Sequence, residues 1–445
     1  MGGITVSTSA EPATGQLSDR LPREVWVLVA ASFVIAIGFG IVAPALPGFA
    51  ASFDVGVTAS SIVISAFAFT RLAFAPVSGR LVAFFGERPV YVWGLIIVAV
   101  STGACAFAAD YWQLLVLRAL GGTGSTMFTV SAVALLIRLS PPHLRGRASG
   151  VWSTGFLLGN IAGPIVGGGL VGISIKLPFL TYAVALLVAA FVAWFFLRNS
   201  SLAAANRDDA RPLFTMREAV RHGAYRAALA SNFATGWTVF GVRMALIPLF
   251  VTQALRENEA WAGISLSVFA GGNALVLLFS GKLADTRGRK PLAIAGLLVA
   301  GASMIWLGYT DSVPAFLAAS LVAGFGAGLL TPAQSAAVAD VVGNEKRGGP
   351  VLAGFQMAAD VGTILGPLLA GVMAENLSFE TAFAVTGFTM LLALVPWLLA
   401  PETLPRRAGE HTATEVAAES GGCLDEGPEL PTGERVAGKP QQPQP

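Results

Sequence analysis

Residues 281–291 read GKLADTRGRKP, and residues 79–89 read GRLVAFFGERP. Each stretch is a short basic connection between two long apolar segments, and the two begin 202 positions apart. The same spacing, or one residue more, joins four further pairs: Gly122 and Gly324, Gly124 and Gly326, Gly146 and Gly348, and the dipeptides Gly163-Pro164 and Gly366-Pro367. Self-similarity over so long a period indicates that the chain is built from two homologous halves.

The segments around these connections are apolar enough to cross a membrane. Of 445 residues, 54% are hydrophobic and only 12% are charged, which argues against a soluble globule, a disordered chain and a nucleic-acid-binding protein. A helix needs roughly 20 apolar residues to span the hydrocarbon core of a bilayer. A window of that length predicts twelve spans: 25–47, 58–81, 90–109, 112–138, 148–171, 177–197, 226–253, 261–284, 291–310, 313–340, 351–374 and 380–400.

These spans predict an all-α membrane protein of two parallel six-helix halves, residues 25–197 and 226–405. A central connection, 198–225, joins the halves, and the polar tails 1–24 and 406–445 are expected to be disordered. Parallel repeats related by an axis along the membrane normal place a binding cavity between the halves, near the midplane.

The distribution of basic residues predicts the orientation of the chain. Lys and Arg collect in alternate connections, whereas the opposite connections hold only Lys176 and Arg256. Because basic residues are enriched in cytoplasmic connections, the central connection and both termini are predicted to be cytoplasmic. The N-terminal tail is acidic and has no short apolar region, which argues against a cleavable signal peptide. We expect a multi-pass protein of the plasma membrane, and its compact connections are typical of a bacterial chain.

The sequence offers little for catalysis or metal binding. Its two cysteines, Cys105 and Cys423, and its three histidines, His143, His222 and His411, form no cluster with the spacing of metal ligands or of a disulfide framework. The chain has no GxxxxGK[ST] loop for ATP, and no nucleophile and base converge in the sequence. We therefore expect no enzyme, no bound cofactor, no nucleic-acid partner and no obligate protein partner.

The motifs resemble those of the major facilitator superfamily over nearly all of residues 24–401. The stretch 281–290 is similar to the loop signature of that superfamily at every position, and Arg118 with Gly122 and Gly124 is similar to its Arg-containing helix motif. Span one is similar to the first helix of exporters at Gly38, Gly40, Pro44 and Pro47. The resemblance implies the major facilitator fold and alternating access, with the substrate cavity surrounded by spans one, four, seven and ten.

Span five resembles the antiporter motif of twelve-helix drug:proton exchangers. The residues that carry this likeness are Gly150, Gly159, Gly163, Pro164, Gly167 and Gly168. The resemblance implies multidrug efflux driven by a proton gradient. The glycines at every fourth position line one helix face, so close packing of two helices explains the same pattern without any antiport.

A conformational latch is expected at the loop signature. The Asp285 carboxylate is placed to face the start of span five near Arg145 and Arg147, where the helix dipole favours a negative charge. A solvated loop charge is the alternative. The first half has Ala83 at the equivalent position, so the latch is expected to be asymmetric. Its members in the second half are Gly281, Asp285, Arg287, Gly288 and Arg289.

Asp360 is the one acidic residue of 26 that lies deep inside a predicted span. An ionised carboxylate inside a membrane is costly unless it is paired or protonated, so Asp360 is the candidate for proton coupling. Arg71, Arg118 and Arg243 are the basic residues within spans, and each is a possible partner. A fixed structural ion pair is the alternative reading of Asp360.

Helical periodicity gives the candidates for the cavity lining. Arg118, Ser125 and Thr129 share one face of span four, and the repeat transfers this face to Thr331 of span ten, with Gln334 one turn further on. Phe240 and Arg243 share a face of span seven with Gly236, and Trp237 lies inside the same span.

The sequence therefore favours a secondary transporter that exports small amphiphilic drugs or secondary metabolites in exchange for protons. Uptake or facilitated movement of a metabolite or organic anion is an alternative, which Arg118 and Arg243 would suit. A receptor or scaffold that has kept the fold is a third possibility. Lipid, protons and a small-molecule substrate are the expected partners.

Overall fold

The computed structural model describes residues 21–140, 144–197, 215–343 and 349–404. Within these residues twelve helices are long and apolar enough to span a membrane, as predicted. Their bounds lie within about four residues of the predicted ones. The helices are α1 (Arg23–Ala51), α2 (Val57–Phe85), α3 (Glu87–Cys105), α4 (Tyr111–Leu139), α5 (Arg145–Ile173), α6 (Leu177–Leu197), α7 (Gly223–Ala254), α8 (Ala260–Arg287), α9 (Arg289–Gly308), α10 (Val313–Val342), α11 (Gly349–Asn376) and α12 (Phe379–Leu399).

Three of these helices are not regular throughout. The helical hydrogen bonding of α1 is interrupted after Val42, before Pro44, and that of α12 after Leu392. Helix α7 contains π-helical turns at Gly236–Val242 and Phe250–Ala254. A wider turn of this kind changes the direction in which the following side chains point.

Both halves make the same turn between their second and third helices. Gly86 and Gly288 have φ angles of +83° and +106°, and each ends one helix and begins the next. Glycine adopts such angles without steric cost, which allows the sharp reversal. The prediction that the two basic stretches are equivalent connections is confirmed at these residues.

The helix packing also repeats between the halves. The pairs α1–α5, α2–α4, α3–α4 and α3–α6 of the first half correspond to α7–α11, α8–α10, α9–α10 and α9–α12 of the second. Closest approaches coincide as well: a Cβ atom on Gly94 would lie 2.6 Å from the Phe128 nitrogen, and one on Gly296 would lie 2.8 Å from the Leu330 nitrogen. The two halves are therefore copies of one six-helix unit.

An ion pair occurs at the same place in each half with its charges exchanged. Glu87 at the start of α3 pairs with Arg138 of α4 at 2.6 Å. In the second half Arg289 at the start of α9 pairs with Asp340 of α10 at 3.1 Å. Both pairs join the start of the third helix of a half to the end of the fourth.

The halves meet mainly along two helix pairs, α2 with α11 and α5 with α8, and α7 makes smaller contacts with α1 and α2. We call the membrane side that carries Gly86 and Gly288 the basic side, and the side that carries Gly56 and Glu259 the far side. These two pairs surround the space in which the cavity lies.

Candidate substrate cavity

A cavity of about 320 Å³ lies between the halves. All six helices of the first half line it, whereas the second half contributes residues of α7 and α11. Its walls are mainly apolar and aromatic, which is typical of sites for small organic molecules. The aromatic residues in the lining are Phe39, Phe67, Tyr91, Phe128, Trp152, Phe156, Tyr182 and Phe240.

The glycines of α1 make room for this wall and for the neighbouring helix. A Cβ atom on Gly38 would overlap the ring of Tyr182, so only glycine allows α6 to place this tyrosine beside the cavity. A Cβ atom on Gly40 would lie 2.7 Å from Cδ of Pro164 on α5.

Arg118 of α4 is a cationic group of the cavity wall. Its side chain is only 6% exposed, and its guanidinium carbon lies 4.3 Å from the centre of the Phe67 ring. The Nε atom is buried without a hydrogen-bond partner among the described residues. The contact with the Phe67 ring face stabilises this charge, but no carboxylate within the described part of the chain pairs with it.

Asp360 of α11 and Arg71 of α2 form an ion pair across the two halves. The Asp360 Oδ1 and Arg71 Nη2 atoms lie 3.5 Å apart, and the side chains are 15% and 28% exposed. Both residues line the cavity and lie near the middle of their helices. Of the three candidate partners, the structure pairs Asp360 with Arg71.

The predicted lining residues separate into two groups. Ser125, Thr129 and Phe240 line the cavity together with Arg118. The structure places four others outside the lining: Trp237, Arg243, Thr331 and Gln334.

Two members of this second group are sealed inside the second half. Arg243 is 1% exposed, lies 4.2 Å from the centre of the Phe269 ring and approaches the sulfur of Met304. The Trp237 indole donates a hydrogen bond to Thr386 of α12 at 3.4 Å. Both residues therefore pack within the second half in this structure, and their predicted contact with a substrate stays a prediction.

The other two belong to α10, which stays outside the cavity. The buried Gln334 side chain accepts a hydrogen bond from Ser231 and donates one to Asn232, which binds α10 to α7. The Thr331 hydroxyl donates to the carbonyl of Ala327 within its own helix.

Comparison with known proteins identifies the family. The sequence matches the profile of the Major Facilitator Superfamily over residues 28–256 and 228–428. The chain belongs to this superfamily. Among curated relatives of this transporter, Multidrug resistance protein 2 of Bacillus subtilis (strain 168) is 25% identical over 83% of this chain and 92% of its own length. Tetracycline resistance protein, class C, of Escherichia coli is 28% identical over 82% and 93%.

Solved structures of superfamily members share the fold. A bacterial homologue of the human lysosomal transporter Spinster, in an inward-facing and occupied conformation, superposes with a TM-score of 0.68 at 15% identity. That comparison covers 84% of this chain and 95% of the other. The human organic anion transporter MFSD10 (TETRAN) gives a TM-score of 0.62 at 19% identity, with 84% and 100% covered.

In this superfamily member the halves are in contact from the far side to the midplane. The Glu375 carboxylate accepts a hydrogen bond from the backbone N–H of Thr58 at 2.8 Å, and Ser65 donates to the Ile364 carbonyl at 2.7 Å. On the basic side, a Cβ atom on Gly79 or Gly281 would meet no atom of the described residues within 4 Å. The two halves are therefore in direct contact beside the cavity on the far side.

The superfamily's loop residues form contacts within the second half. Asp285 is 68% exposed, and its carboxylate pairs with Arg289 at 2.8 Å. Arg289 is held further by Asp340 and by the Ala284 carbonyl. Gly281 and Gly288 flank this network, and Arg287 is exposed. The side chains of Arg145 and Arg147 lie outside the described residues, so their contact with Asp285 stays a prediction.

The superfamily's antiporter-motif glycines face two different helices. Gly159, Gly163 and Gly167 lie against the backbone of α1, where any Cβ atom would collide with a carbonyl or Cβ atom. Gly168 lies against α8 of the other half, with the Ala260 oxygen 3.1 Å from a Cβ atom placed there. Pro164 lies inside α5. The surroundings of Gly150 lie outside the described part of the structure. The motif thus provides close helix packing, within the half and across the halves.

Sequence reasoning missed several cavity residues of this transporter. Tyr91, Tyr182 and Trp152 lie on α3, α6 and α5, helices that were not expected to surround the cavity. For Tyr182, Gly38 was the indication in the sequence, because a glycine inside a membrane helix indicates that a neighbouring residue approaches closely there.

Proposed function

We propose that this transporter exports small amphiphilic compounds in exchange for protons, by alternating access, with the basic side in the cytoplasm. The observation that carries the proposal is the Arg71–Asp360 pair, which joins the two halves inside the cavity. A charge pair at this position links the protonation of one carboxylate to the contact between α2 and α11. The multidrug resistance proteins among the relatives support export of drug-like compounds.

The coupling works through the charge of Asp360. When the carboxylate takes up a proton it becomes neutral, and its attraction to the Arg71 guanidinium falls. Exchange requires that Asp360 takes up this proton while the cavity is open to the far side, and that the protonated, empty carrier then returns so that the proton is released on the basic side. Release of the proton restores the negative charge and the pair. The proton thus selects the conformation, and the gradient gives the cycle its direction.

The remaining lining residues bind the compound. Aromatic rings such as Phe39 and Tyr182 contact its apolar part, and the Ser125 and Thr129 hydroxyls offer hydrogen bonds. Most of the lining surface is apolar, so the site selects amphiphilic molecules mainly by size and apolar surface.

Inverted membrane vesicles with an acidic interior test this function. A pH-sensitive dye reports proton release while cationic, neutral and anionic amphiphiles are added to wild type, Asp360→Asn and the exposed control Asp311→Asn. We expect compound-triggered proton release in wild type and the control, and its loss in Asp360→Asn at equal protein in the membrane. Undiminished release in Asp360→Asn would contradict the coupling role, and silence of wild type with the whole panel would contradict antiport.

Arg118 favours a second candidate, the transport of organic anions. A buried guanidinium that lines the cavity without a carboxylate partner among the described residues offers a site for the carboxylate of a substrate. Binding of an aromatic carboxylic acid and its methyl ester to the purified protein separates the two candidates. Anion transport predicts that the acid binds more tightly, and that Arg118→Gln removes this difference while Arg118→Lys keeps part of it. Equal affinities for acid and ester would exclude this candidate.

A further inference from the structure

Each half of the molecule stacks one guanidinium on an equivalent phenylalanine ring. Phe67 of α2 and Phe269 of α8 are 202 residues apart, which is the spacing of the repeat. The guanidinium carbon of Arg118 lies 4.3 Å from the centre of the Phe67 ring, and that of Arg243 lies 4.2 Å from the centre of the Phe269 ring. The cation comes from α4 in the first half and from α7 in the second. Both halves therefore place a positive charge beside the same residue of the repeat.

Arg243 is costly in its present position. Its side chain is 1% exposed, and its Nε and Nη2 atoms have no hydrogen-bond partner among the described residues. The Met304 sulfur, a weak acceptor, lies 3.6 Å from Nη1, and the ring of Phe269 compensates the charge only in part. No carboxylate in the described part of the chain pairs with this guanidinium. Because charged side chains inside membrane proteins often mark ligand sites, Arg243 is a candidate for contact with an anionic ligand in a second conformation of α7.

The π-helical turn before Arg243 determines where this side chain points. A regular α-helix turns by about 100° per residue, so the eleven residues from Asn232 to Arg243 make three turns and about 20°. Asn232 lines the cavity, so in a regular helix Arg243 would face the cavity as well. A π-helical turn holds about one residue more than an α-helical turn, which directs Arg243 about 100° away and onto Phe269.

Phe240 occupies the position in the cavity wall that a regular helix would give to Arg243. Phe240 lies inside the π-helical turn and lines the cavity. Eight residues separate it from Asn232, which in a regular helix would turn it about 80° away from the direction of Asn232. A change of this turn from π-helix to α-helix would therefore exchange an aromatic ring for a guanidinium in the cavity wall.

Helix α11 supports the π-helical turn. A Cβ atom on Gly236 would collide with the Ala359 carbonyl, and one on Gly241 would lie 2.8 Å from Cδ of Pro367. The Thr363 hydroxyl donates to the Gly236 carbonyl at 3.2 Å and to the Ala359 carbonyl of its own helix at 2.9 Å. Turns of this kind are rare and are frequent at functional sites, so a hydrogen bond from another helix to the first residue of the turn favours the wide form.

We propose that Arg243 binds the anionic group of a substrate, such as a carboxylate, when the π-helical turn at Gly236–Val242 becomes α-helical. In that form the guanidinium leaves the Phe269 ring and enters the cavity, while Phe240 leaves the lining. Arg118 lines the cavity in the present conformation, so each half offers one cation. The ligand in this inference rests on the proposed transport of small amphiphilic compounds, whereas the rotation of α7 does not.

Thiol labelling tests the rotation in the purified full chain. Arg243→Cys and Phe240→Cys are made separately in a background with Cys105→Ala and Cys423→Ser, and the rate of reaction with a small cationic thiosulfonate reagent is measured. We expect Phe240→Cys to react quickly because this position lines the cavity, and Arg243→Cys to react slowly because it is buried.

A second substitution shifts the helix between its two forms. Thr363→Val removes the hydrogen bond to Gly236 and should raise the rate of Arg243→Cys about two- to tenfold, as expected for the loss of one hydrogen bond. The rate of Phe240→Cys should fall in the same variant. The control Thr389→Val removes a hydroxyl that donates to a carbonyl of its own helix and should change neither rate.

Binding of an aromatic carboxylic acid and its methyl ester tests the ligand. In Thr363→Val the preference for the acid should exceed that of wild type about two- to tenfold, because a larger fraction of the protein presents Arg243 to the cavity. Adding Arg243→Gln to Thr363→Val should remove this gain, and adding Arg243→Lys should keep part of it.

The outcomes separate the rotation, the anion site and the proposed function. Rates that rise together at positions 240 and 243, or that do not change in Thr363→Val, would overturn the rotation. Reciprocal rates without a gain in preference for the acid, or a gain that survives Arg243→Gln, would overturn the anion site. Binding of neither compound by wild type would contradict the proposed function, and the labelling rates decide the rotation independently of that result.

Discussion

The contact between Glu375 and the start of α2 gives a prediction about the equilibrium between the two proposed conformations. Glu375 belongs to the second half, and its Oε2 atom accepts a hydrogen bond from the Thr58 N–H of the first half at 2.8 Å. The N-cap residue of α2 is Gly56, which has no side chain to accept a hydrogen bond from the free N–H groups in the first turn of this helix. The carboxylate therefore caps a helix of the opposite half, and opening of the far side must break this contact.

The size of the effect follows from the exposure of the contact. An N-cap is typically worth about 1 kcal/mol, and a carboxylate at a helix start gains about 0.3 to 1 kcal/mol from the helix dipole. Because Glu375 is exposed, solvent screening leaves about 0.5 to 1 kcal/mol in total. Glu375→Ala should therefore raise the ratio of far-side-open to far-side-closed protein by about two- to fivefold.

Distances between spin labels on the two halves measure this ratio. Ala109→Cys and Asp311→Cys place labels at exposed positions of far-side connections, in a background with Cys105→Ala and Cys423→Ser. We expect the long-distance population to grow in Glu375→Ala, and to stay unchanged in the control Glu257→Ala, which removes another exposed acid on the far side. An unchanged distance distribution in Glu375→Ala would refute the reasoning.

Three further predictions concern folding and stability. Gly163→Ala should lower the free energy of unfolding by about 1 to 3 kcal/mol, because the new Cβ atom would collide with the Ile37 carbonyl. The control Gly169→Ala places its Cβ atom in open space and should change stability little. Thermal unfolding in detergent compares the two variants, and equal melting temperatures would contradict the packing argument. Glu87→Arg and Arg138→Asp should each lower the melting temperature, because each leaves two like charges together. The double variant reproduces the charges of the other half and should recover most of the loss. Additive losses in the double variant would show that the two residues are not coupled. Burial raises the pKa of Glu259, which lies between α7 and α8, so its ionised form destabilises the folded protein above that pKa and this penalty disappears as the pH falls through it. Glu259→Gln should therefore melt at a higher temperature than wild type at pH 7 and lose this advantage at low pH, and a constant difference across the pH series would count against the burial effect.

The fold was predictable because a bilayer permits few structures. Without water, backbone groups must bond within their own segment, so each long apolar segment of this chain becomes a helix. The repeated glycines then indicate which helices correspond. The central position of Asp360 was predictable for the same reason, since a lone carboxylate inside a span needs a partner or a proton. Its partner Arg71 was not, because the pairing crosses between the halves and depends on how α2 meets α11.

The cavity lining was predictable only in part. In α4 the regular helix keeps Arg118, Ser125 and Thr129 facing the cavity. In α7 the π-helical turn at Gly236–Val242 disturbs the period of 3.6 residues, so Phe240 faces the cavity while Arg243 turns into the second half. The repeat also predicts lining residues on α10, but the cavity lies against the first half, and at the symmetric place of the second half α10 packs against α7.

The exchanged charges of the two ion pairs have a consequence for assembly. The halves share one architecture, so a third helix of one half and a fourth helix of the other are sterically compatible partners while the chain inserts, or between two chains that swap halves. Such a mismatch would place Glu87 against Asp340 and Arg289 against Arg138. The two like charges within each mismatched pair would repel one another. The opposite order of charges in the two ion pairs thus favours pairing of the third and fourth helices within one half over pairing between halves.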